Sequence, residues 1–176
     1  LPTALELADD FRVTGLVRRA IVYGHDCWQC AGSFATGVRM RIHEKTEAGL
    51  PGAELYGFRL EAGDPRFVHD LNQTGHNGTI DVTFPEPFAA DGSYFFSVQL
   101  EFAGPASWPI WSSNHVTRFG SPIYLRDNLA GSDWQQHSDM FGPSEFDFAS
   151  SLYGDPPGSP PSNTVAECGE WHTRLL

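Results

Sequence analysis

Apolar residues fall on every second position along much of this chain, and that period constrains the fold more than any other feature. Val38, Met40 and Ile42 alternate with charged residues and a histidine, and the same period runs through residues 80–84 and 94–102. Successive side chains of a β-strand point to opposite faces, so this alternation indicates strands with one buried and one solvated face. The pattern predicts an antiparallel all-β domain.

Turn-forming residues divide the chain into short segments. Gly, Pro, Asn and Asp cluster at residues 48–52, 76–78, 90–92 and 127–131, where positive φ or a preset φ favours a turn. About ten strands of this length fit two packed antiparallel sheets, as in a jelly-roll-like β-sandwich. The predicted strands are 11–23, 37–45, 55–61, 66–72, 79–85, 93–102, 107–113, 121–126, 133–138 and 146–153.

The alternation also predicts which side chains form the core. Isolated histidines in strands, such as His43 and His69, are expected on the surface. The residues expected to be buried are Met40, Ile42, Val82, Phe84, Phe96, Val98, Leu100 and Phe148.

A change in composition after Gly154 predicts two parts, a β-sandwich domain at 1–154 and a C-terminal arm at 155–176. Residues 155–162 contain four prolines, which cannot donate to a β-ladder and which favour an extended chain. Apolar residues beyond them predict that the arm docks on the domain or on a partner. The predicted docking residues are Val165, Trp171, Leu175 and Leu176.

Charge and hydropathy exclude several classes of partner. The net charge of −11 disfavours nucleic acid and anionic lipid, since both are bound by clustered Lys and Arg. No segment approaches the roughly 20 apolar residues of a membrane span. Residues 1–3 lack the features of a signal peptide. Because the first residue is Leu, we expect a mature N-terminus left by processing, which fits export.

Short motifs follow one order between residues 9 and 154. They include Asp-Asp-Phe at 9–11, Gly-Leu-Pro-Gly at 49–52, and Phe-Asp-Phe at 146–148 ahead of Gly154. This order resembles the β-sandwich modules of large secreted and surface-anchored bacterial proteins. The resemblance implies an extracellular, non-catalytic module and supplies neither a ligand nor catalytic residues. The loop with Cys27 and Cys30 departs from it, as does the cysteine in the tail.

The chain has three cysteines, Cys27, Cys30 and Cys168. In an exported protein we expect one disulfide, with Cys27–Cys30 favoured and Cys168 as the alternative partner of either one. The spacing of these three cysteines with His172 also matches a structural zinc site, with His25 as a further ligand. We expect the disulfide and no zinc, since structural zinc is usual in reducing compartments.

Acidic residues offer one candidate calcium site. Asp9, Asp10 and Asp147 come from the two ends of the domain, which a jelly roll brings together, and calcium prefers carboxylate oxygens. A second acidic turn holds Asp127 and Asp133 around Asn128. The alternative is that these residues form turns and solvated charges. We therefore predict no cofactor other than calcium.

Tryptophans near a histidine suggest a carbohydrate site. Trp108, Trp111, Asn114 and His115 combine rings that can stack on a pyranose with groups that can bind hydroxyls. Because Trp108 and Trp111 would point to opposite faces of one strand, the alternative is that at least one belongs to the core. Neither a GxSxG nor an HExxH motif occurs, and no catalytic residue is predicted.

Together these features predict a non-enzymatic extracellular, cell-surface or periplasmic interaction module. We expect it to be a structural subunit of a larger surface or membrane-associated assembly. Protein partners would bind through the C-terminal arm or a sheet face. The alternative is a carbohydrate-binding module, stabilised by calcium, with a glycan as its partner.

Overall fold

A computed structural model describes residues 5–26, 35–71, 78–102, 109–111, 113–114, 123–128, 131–136, 147–148, 150–155 and 164–167. Every regular element within these ranges is a strand. The described residues contain no helix that is long and apolar enough to cross a membrane. The strands are β1 (Leu5–Asp26), β2 (Ala35–Lys45), β3 (Pro51–Glu61), β4 (Phe67–Leu71), β5 (Gly78–Phe102), β6 (Pro109–Trp111), β7 (Ser113–Asn114), β8 (Tyr124–Asp127), β9 (Gln135–Gln136), β10 (Asp147–Phe148), β11 (Ser150–Asp155) and β12 (Thr164–Glu167).

The strands form an antiparallel sheet, which confirms the predicted all-β class. Its hydrogen-bonded path runs β12-β11-β1-β5-β2-β3. β4 attaches to β5, β6 and β8 attach to β1, and β9 attaches to β8, while β7 and β10 form a separate pair. β1 and β5 are therefore the two central strands that carry the others.

A bulge divides the long β1–β5 ladder into two halves. The register jumps from Val17 opposite Phe88 to Arg19 opposite Thr83, so residues 84–87 of β5 have no partner on β1. Pro85 and Pro87 lie in this interval, where a missing N–H breaks no bond of that ladder. We call β3-β2-β5-β1-β8-β9 the upper half-sheet and β12-β11-β1-β5-β4 the lower half-sheet.

The turn predicted at residues 90–92 is wrong, because β5 continues through them. Asp91 and Gly92 pair with Thr14 and Val13 of β1. Gly92 has a φ of 147° and Gly15, nearby on β1, has a φ of 139°, values that glycine tolerates without a chain reversal. The turn predicted at 48–52 is confirmed, since Gly49 has a φ of 76° and the chain reverses there into β3.

One hydrophobic cluster draws side chains from both half-sheets. Phe96 and Val98 contribute from the upper half, and Val82 and Leu152 contribute from the lower half. The predicted core is confirmed for every predicted residue whose side chain the structure describes. The side chain of Phe148 is not among the described ones, so its burial stays a prediction. The confirmed residues are Met40, Ile42, Val82, Phe84, Phe96, Val98 and Leu100.

Gly154 allows β11 to approach β1 beside the bulge. A Cβ at this position would lie 1.7 Å from the carbonyl oxygen of Leu16 and 2.7 Å from its carbonyl carbon. These are backbone atoms, so the strands themselves must separate to admit a methyl group. We predict that Gly154→Ala destabilises the fold by about 1–3 kcal/mol, the usual cost of overpacking, as measured by urea denaturation.

Gly52→Ala is the matched control for this substitution. Its added Cβ would meet only the side chains of Glu44 and Thr46, which can move aside. We expect a smaller loss of stability than for Gly154→Ala. Equal losses in the two variants would contradict the close approach of β11 to β1.

Candidate functional site

Part of the outer face of the upper half-sheet, opposite the core, is buried although its residues are polar, whereas the side chains of Arg39 and Arg59 on the same face are 42% and 41% exposed. Glu6 and Ser97 are 0% exposed, His43 is 1% exposed and Arg41 is 8% exposed. The alternation predicted a solvated face here, and His43 was expected on the surface. Both expectations are wrong around Glu6, where Arg41 and His43 are buried, while the Arg39 side chain is solvated as expected. The buried side chains form a closed network around the Glu6 carboxylate.

Four side chains hold the Glu6 carboxylate. Ser97 Oγ donates to Oε1, while Arg126 Nε and Asn128 Nδ2 donate to Oε2 at 2.9 and 2.8 Å. Arg41 Nη1 lies 2.7 Å from the same oxygen, outside hydrogen-bond geometry. Glu6 is therefore a buried carboxylate with both oxygens satisfied, as burial of a charge requires.

Sheet register explains how these residues meet. Arg126 lies directly opposite Glu6 in the β1–β8 ladder, and Arg41 lies opposite Ser97 in the β2–β5 ladder. Side chains opposite one another or diagonal on one face of a sheet are within reach of each other. Four adjacent strands thus bring together residues that are far apart in the sequence.

Trp134 packs against the edge of this network. Its ring lies 4.4 Å from the Arg126 guanidinium carbon and 5.4 Å, edge to face, from the His43 ring. Arg41 Nε also lies 3.1 Å from a carboxylate oxygen of Glu54. We call Glu6, Arg41, His43, Ser97, Arg126, Asn128 and Trp134 the Glu6 cluster.

The pKa of Glu6 lies well below its ordinary value of 4.5. Burial acts to raise this pKa, but the nearby His43 ring, hydrogen bonds from Asn128 and Ser97, and the charge of Arg41 together outweigh burial. The carboxylate is therefore ionised at neutral pH. A general acid or base works best with a pKa near the operating pH, so Glu6 is poorly suited to that role.

The cluster contains the residue types of a hydrolytic triad in Ser97, His43 and Glu6. Their geometry, however, differs from that of a triad. In a triad the serine donates to the histidine, and the acid holds the other ring nitrogen. Here Ser97 donates to Glu6 itself. His43 Nε2 lies 3.1 Å from Ser97 Oγ, and its Nδ1 lies 3.3 Å from the Gly52 carbonyl oxygen. The arrangement supports a role in joining strands.

The outer face of the lower half-sheet contrasts with the Glu6 cluster because it is open. Tyr23 of β1 is 37% exposed and Val68 of β4 is 52% exposed, and Ile21 of β1 is partly exposed. Outward positions of a solvated sheet are normally polar. Asp70, Thr79 and Thr83 follow that rule on this face, whereas Tyr23 and Val68 are apolar and exposed. We call the following residues the Tyr23 face: Arg19, Ile21, Tyr23, Val68, Asp81 and Tyr153.

Arg19 is held in place at the end of the Tyr23 face nearest the bulge. Its Nε donates to Asp81 Oδ1 at 2.7 Å, and its Nη2 donates to Oδ2 of the same carboxylate. Its guanidinium carbon lies 5.3 Å from the Tyr153 ring centroid. A bidentate ion pair and a stacked ring together fix a side chain that would otherwise be mobile.

The predicted carbohydrate residues fall mostly outside the described residues. Trp111 lies in β6 opposite Gly24, and Asn114 lies in β7 opposite Asp147, without described side chains. Trp108 and His115 lie outside the described ranges altogether. The carbohydrate site stays a prediction.

The predicted calcium ligands are divided by the sheet. Asp9 and Asp10 are consecutive in β1, so their side chains point to opposite faces, and Asp10 Oδ2 accepts a hydrogen bond from Lys45 Nζ. Asp147 lies in β10, and its side chain is outside the described part of the chain. Among described residues no group of three or more His, Cys, Asp or Glu could hold a metal ion. Calcium binding stays a prediction.

The cysteines and the zinc candidate His172 lie outside the described residues, so disulfide pairing also stays a prediction. β1 and β12 each run antiparallel to β11, and hence parallel to each other. They end at Asp26 and Glu167, the residues immediately before Cys27 and Cys168. Cys27–Cys30 and the pairing of Cys168 with either of these cysteines all stay predictions. His25, the further zinc candidate, lies in β1 opposite Ile110.

Part of the C-terminal arm joins the chain's own sheet. Val165 in β12 lies opposite Tyr153 in β11, and four residue pairs connect the two strands. Trp171, Leu175 and Leu176 lie outside the described residues. The arm therefore extends the sheet edge at β12, and its docking residues stay a prediction.

Comparison with known proteins identified no relative: no protein-family model, curated protein or solved structure matches this chain. The resemblance to surface-anchored β-sandwich modules therefore stays a prediction. The contrast between the buried Glu6 cluster and the open Tyr23 face is the observation that bears most directly on function.

Proposed function

We propose that this chain is a non-enzymatic binding module of the extracellular or periplasmic space, and a structural subunit of a larger surface assembly. A protein partner binds it through the Tyr23 face. The observation that supports this is the exposure of Tyr23 and Val68 at outward strand positions. Around Glu6, the outer face of the upper half-sheet is instead buried under its own ion pairs.

The residue types of the Tyr23 face favour a protein partner. Tyrosine and arginine are enriched at protein interfaces and supply many of their energetic hot spots. Arg19 is already fixed by Asp81 and Tyr153, so its binding requires little further ordering, which lowers the entropic cost of association.

A jelly-roll-like sandwich is the architecture that fits this proposal. The bulge between Val17 and Arg19 allows the long sheet to bend, so that its two halves face one another across a shared core. The single hydrophobic cluster that draws on both halves supports this arrangement. The Glu6 cluster and the Tyr23 face are then the two outer surfaces of the sandwich.

Carbohydrate binding is the second candidate function for the Tyr23 face, with calcium as a stabilising ion. Tyrosine rings beside an Arg–Asp pair can stack on a pyranose and bind its hydroxyls. The Arg19 guanidinium already covers the ring of Tyr153, however. That contact favours a protein partner over a glycan.

The double variant Tyr23→Ser/Val68→Ser tests this function. Complexes isolated from the source organism are compared by native mass spectrometry, because non-covalent partners survive that measurement. We expect the wild-type chain to travel with a partner and the double variant to lose it. The melting temperature should change little, since both side chains are exposed.

Leu55→Ser is the matched control, since Leu55 is 50% exposed on β3, away from the Tyr23 face. It should keep the partner. If the double variant also keeps its partner, the Tyr23 face is not the binding surface. Binding on a glycan array that only the double variant loses would support the carbohydrate alternative instead.

A further inference from the structure

The β8–β9 hairpin has a short backbone connection to the rest of the sheet. Four residue pairs join β8 to β1, from Leu5 opposite Asp127 to Ala8 opposite Tyr124. β9 pairs only with β8 among the described strands. A unit with so few ladder bonds opens more easily than the central strands, and its opening would also expose the buried side chains of Ile123, Tyr124 and Leu125.

Side chains of the hairpin nevertheless hold it down at the Glu6 cluster. Arg126 and Asn128 both donate to Glu6 Oε2, and Trp134 lies against the His43 ring. Asn128 also donates to Gln99 Oε1 at 3.1 Å. Arg126 and Asn128 thus both join the hairpin to the sheet through the Glu6 carboxylate.

Neutralising Glu6 would turn this attraction into repulsion. The charged and titratable groups around Glu6 are Arg41 and His43 from β2, Arg126 from β8, and Glu54 from β3 on the far side of Arg41. The groups from β5 and the β8 turn, Ser97, Gln99 and Asn128, are neutral. Without the carboxylate the two arginines share a buried site with no counter-charge between them, and one of them belongs to the hairpin.

We propose that the β8–β9 hairpin is a flap latched by the Glu6 carboxylate, and that loss of this charge releases the hairpin while the rest of the sheet stays folded. Release separates Tyr124 from Phe95, whose rings lie 5.6 Å apart. Phe95 and Ala8 are both 0% exposed, and both would become accessible.

Acid can drive the same release. Because the pKa of Glu6 is lowered in the fold, the latch is complete above the ordinary glutamate value of 4.5 and weakens as the pH falls below it. The flap is therefore closed at neutral pH and opens only in strong acid, or when Glu6 is replaced.

Hydrogen–deuterium exchange at pH 7 tests the flap with Glu6→Gln, which removes the charge and keeps the shape. We expect amide protection at residues 123–128 and 131–136 to fall by about tenfold or more, the change that corresponds to 1.4 kcal/mol. Protection in residues 9–23 and 78–100 should stay within a few-fold of wild type.

Asp64→Asn is the matched control, because it breaks the Asp64–Arg66 ion pair in the turn between β3 and β4. It should leave protection of the hairpin unchanged. Uniform loss of protection across the sheet in Glu6→Gln would show a purely structural role. Unchanged protection of the hairpin would overturn the latch.

Arg126→Gln provides a second route if Glu6→Gln does not fold. It removes the hairpin's cation and leaves Glu6 beside Arg41, so the same local loss of protection is expected at residues 123–128 and 131–136. Full protection of the hairpin in this variant would likewise overturn the proposal.

Discussion

Glu6→Ala is expected to lower the free energy of unfolding at neutral pH by about 3–5 kcal/mol, the usual cost of removing one partner from a buried ion pair. The substitution leaves Arg41, with a side chain that is 9% exposed, and Arg126 without the carboxylate that lies between them, and only the exposed Glu54 still pairs with Arg41. It also removes the acceptor of Ser97 and Asn128. Urea denaturation at pH 7, followed by circular dichroism, measures the loss.

The effect of this variant should depend on pH in a definite direction. A carboxyl group with a lowered folded-state pKa stabilises the fold above its unfolded-state pKa, and this contribution is lost as the pH falls. The stability difference between wild type and Glu6→Ala should therefore be full above about pH 5 and shrink below the ordinary value of 4.5. A difference that stays constant down to pH 3 would contradict an ionised, buried Glu6.

Asp64→Asn separates burial from ion pairing in the same experiment. A hydrogen bond from Arg66 lowers the pKa of Asp64 to about 2, but this pair lies in a turn outside the network. Its loss should leave the denaturation midpoint near that of wild type, since exposed ion pairs contribute little.

Phe96→Ala is the second substitution with a large expected effect, about 3–5 kcal/mol from lost burial and a new cavity. Phe96 is 1% exposed in β5, and it lies between Ile42 on β2 and Asp9 on β1. Its ring therefore packs in the core where three strands meet, and thermal or urea unfolding measures the loss.

Val68→Ala is the control for Phe96→Ala. Val68 is 52% exposed on the lower half-sheet, so shortening it should change stability by less than about 0.5 kcal/mol. Equal losses of stability in the two variants would contradict the placement of Phe96 on the core face of β5 and of Val68 on the outer face of β4.

Period-two alternation predicted the core because the face to which a strand residue points depends only on its position along its own strand. Met40 and Ile42 could be placed on the buried face without knowledge of the neighbouring strands.

The strand ends were less predictable. Residues 90–92 have the composition of a turn, but their pairing with Thr14 and Val13 on β1 keeps them in a strand. That ladder joins positions almost 80 residues apart in sequence, which local signals cannot reveal.

The Glu6 cluster was missed for a related physical reason. Glu6 lies ahead of the first predicted strand, 11–23, whereas β1 begins at Leu5. For Arg41 and His43, alternation with apolar residues indicated a solvated face. Burial of Glu6 depends on Arg126 and Asn128, which lie 120 and 122 positions away. Only the strand order brings these groups together.

The Tyr23 face was partly visible in the sequence. Arg19 and Tyr23 lie in the predicted strand 11–23, at alternate positions that point to the same face. Val68 lies in the predicted strand 66–72. Their exposure could not be foreseen, because it depends on what covers the lower half-sheet. Of the candidate rings chosen from the sequence, Trp108 lies outside the described residues and Trp111 is described only by its backbone in β6.

Site-specific photo-crosslinking tests the proposed binding surface most directly. A benzophenone amino acid replaces Tyr23 in one variant and Leu55 in another, and both are irradiated in the source organism. Binding through the Tyr23 face predicts a discrete heavier species from position 23 and none from position 55. A heavier species from position 55 alone, or none from either position, would contradict it.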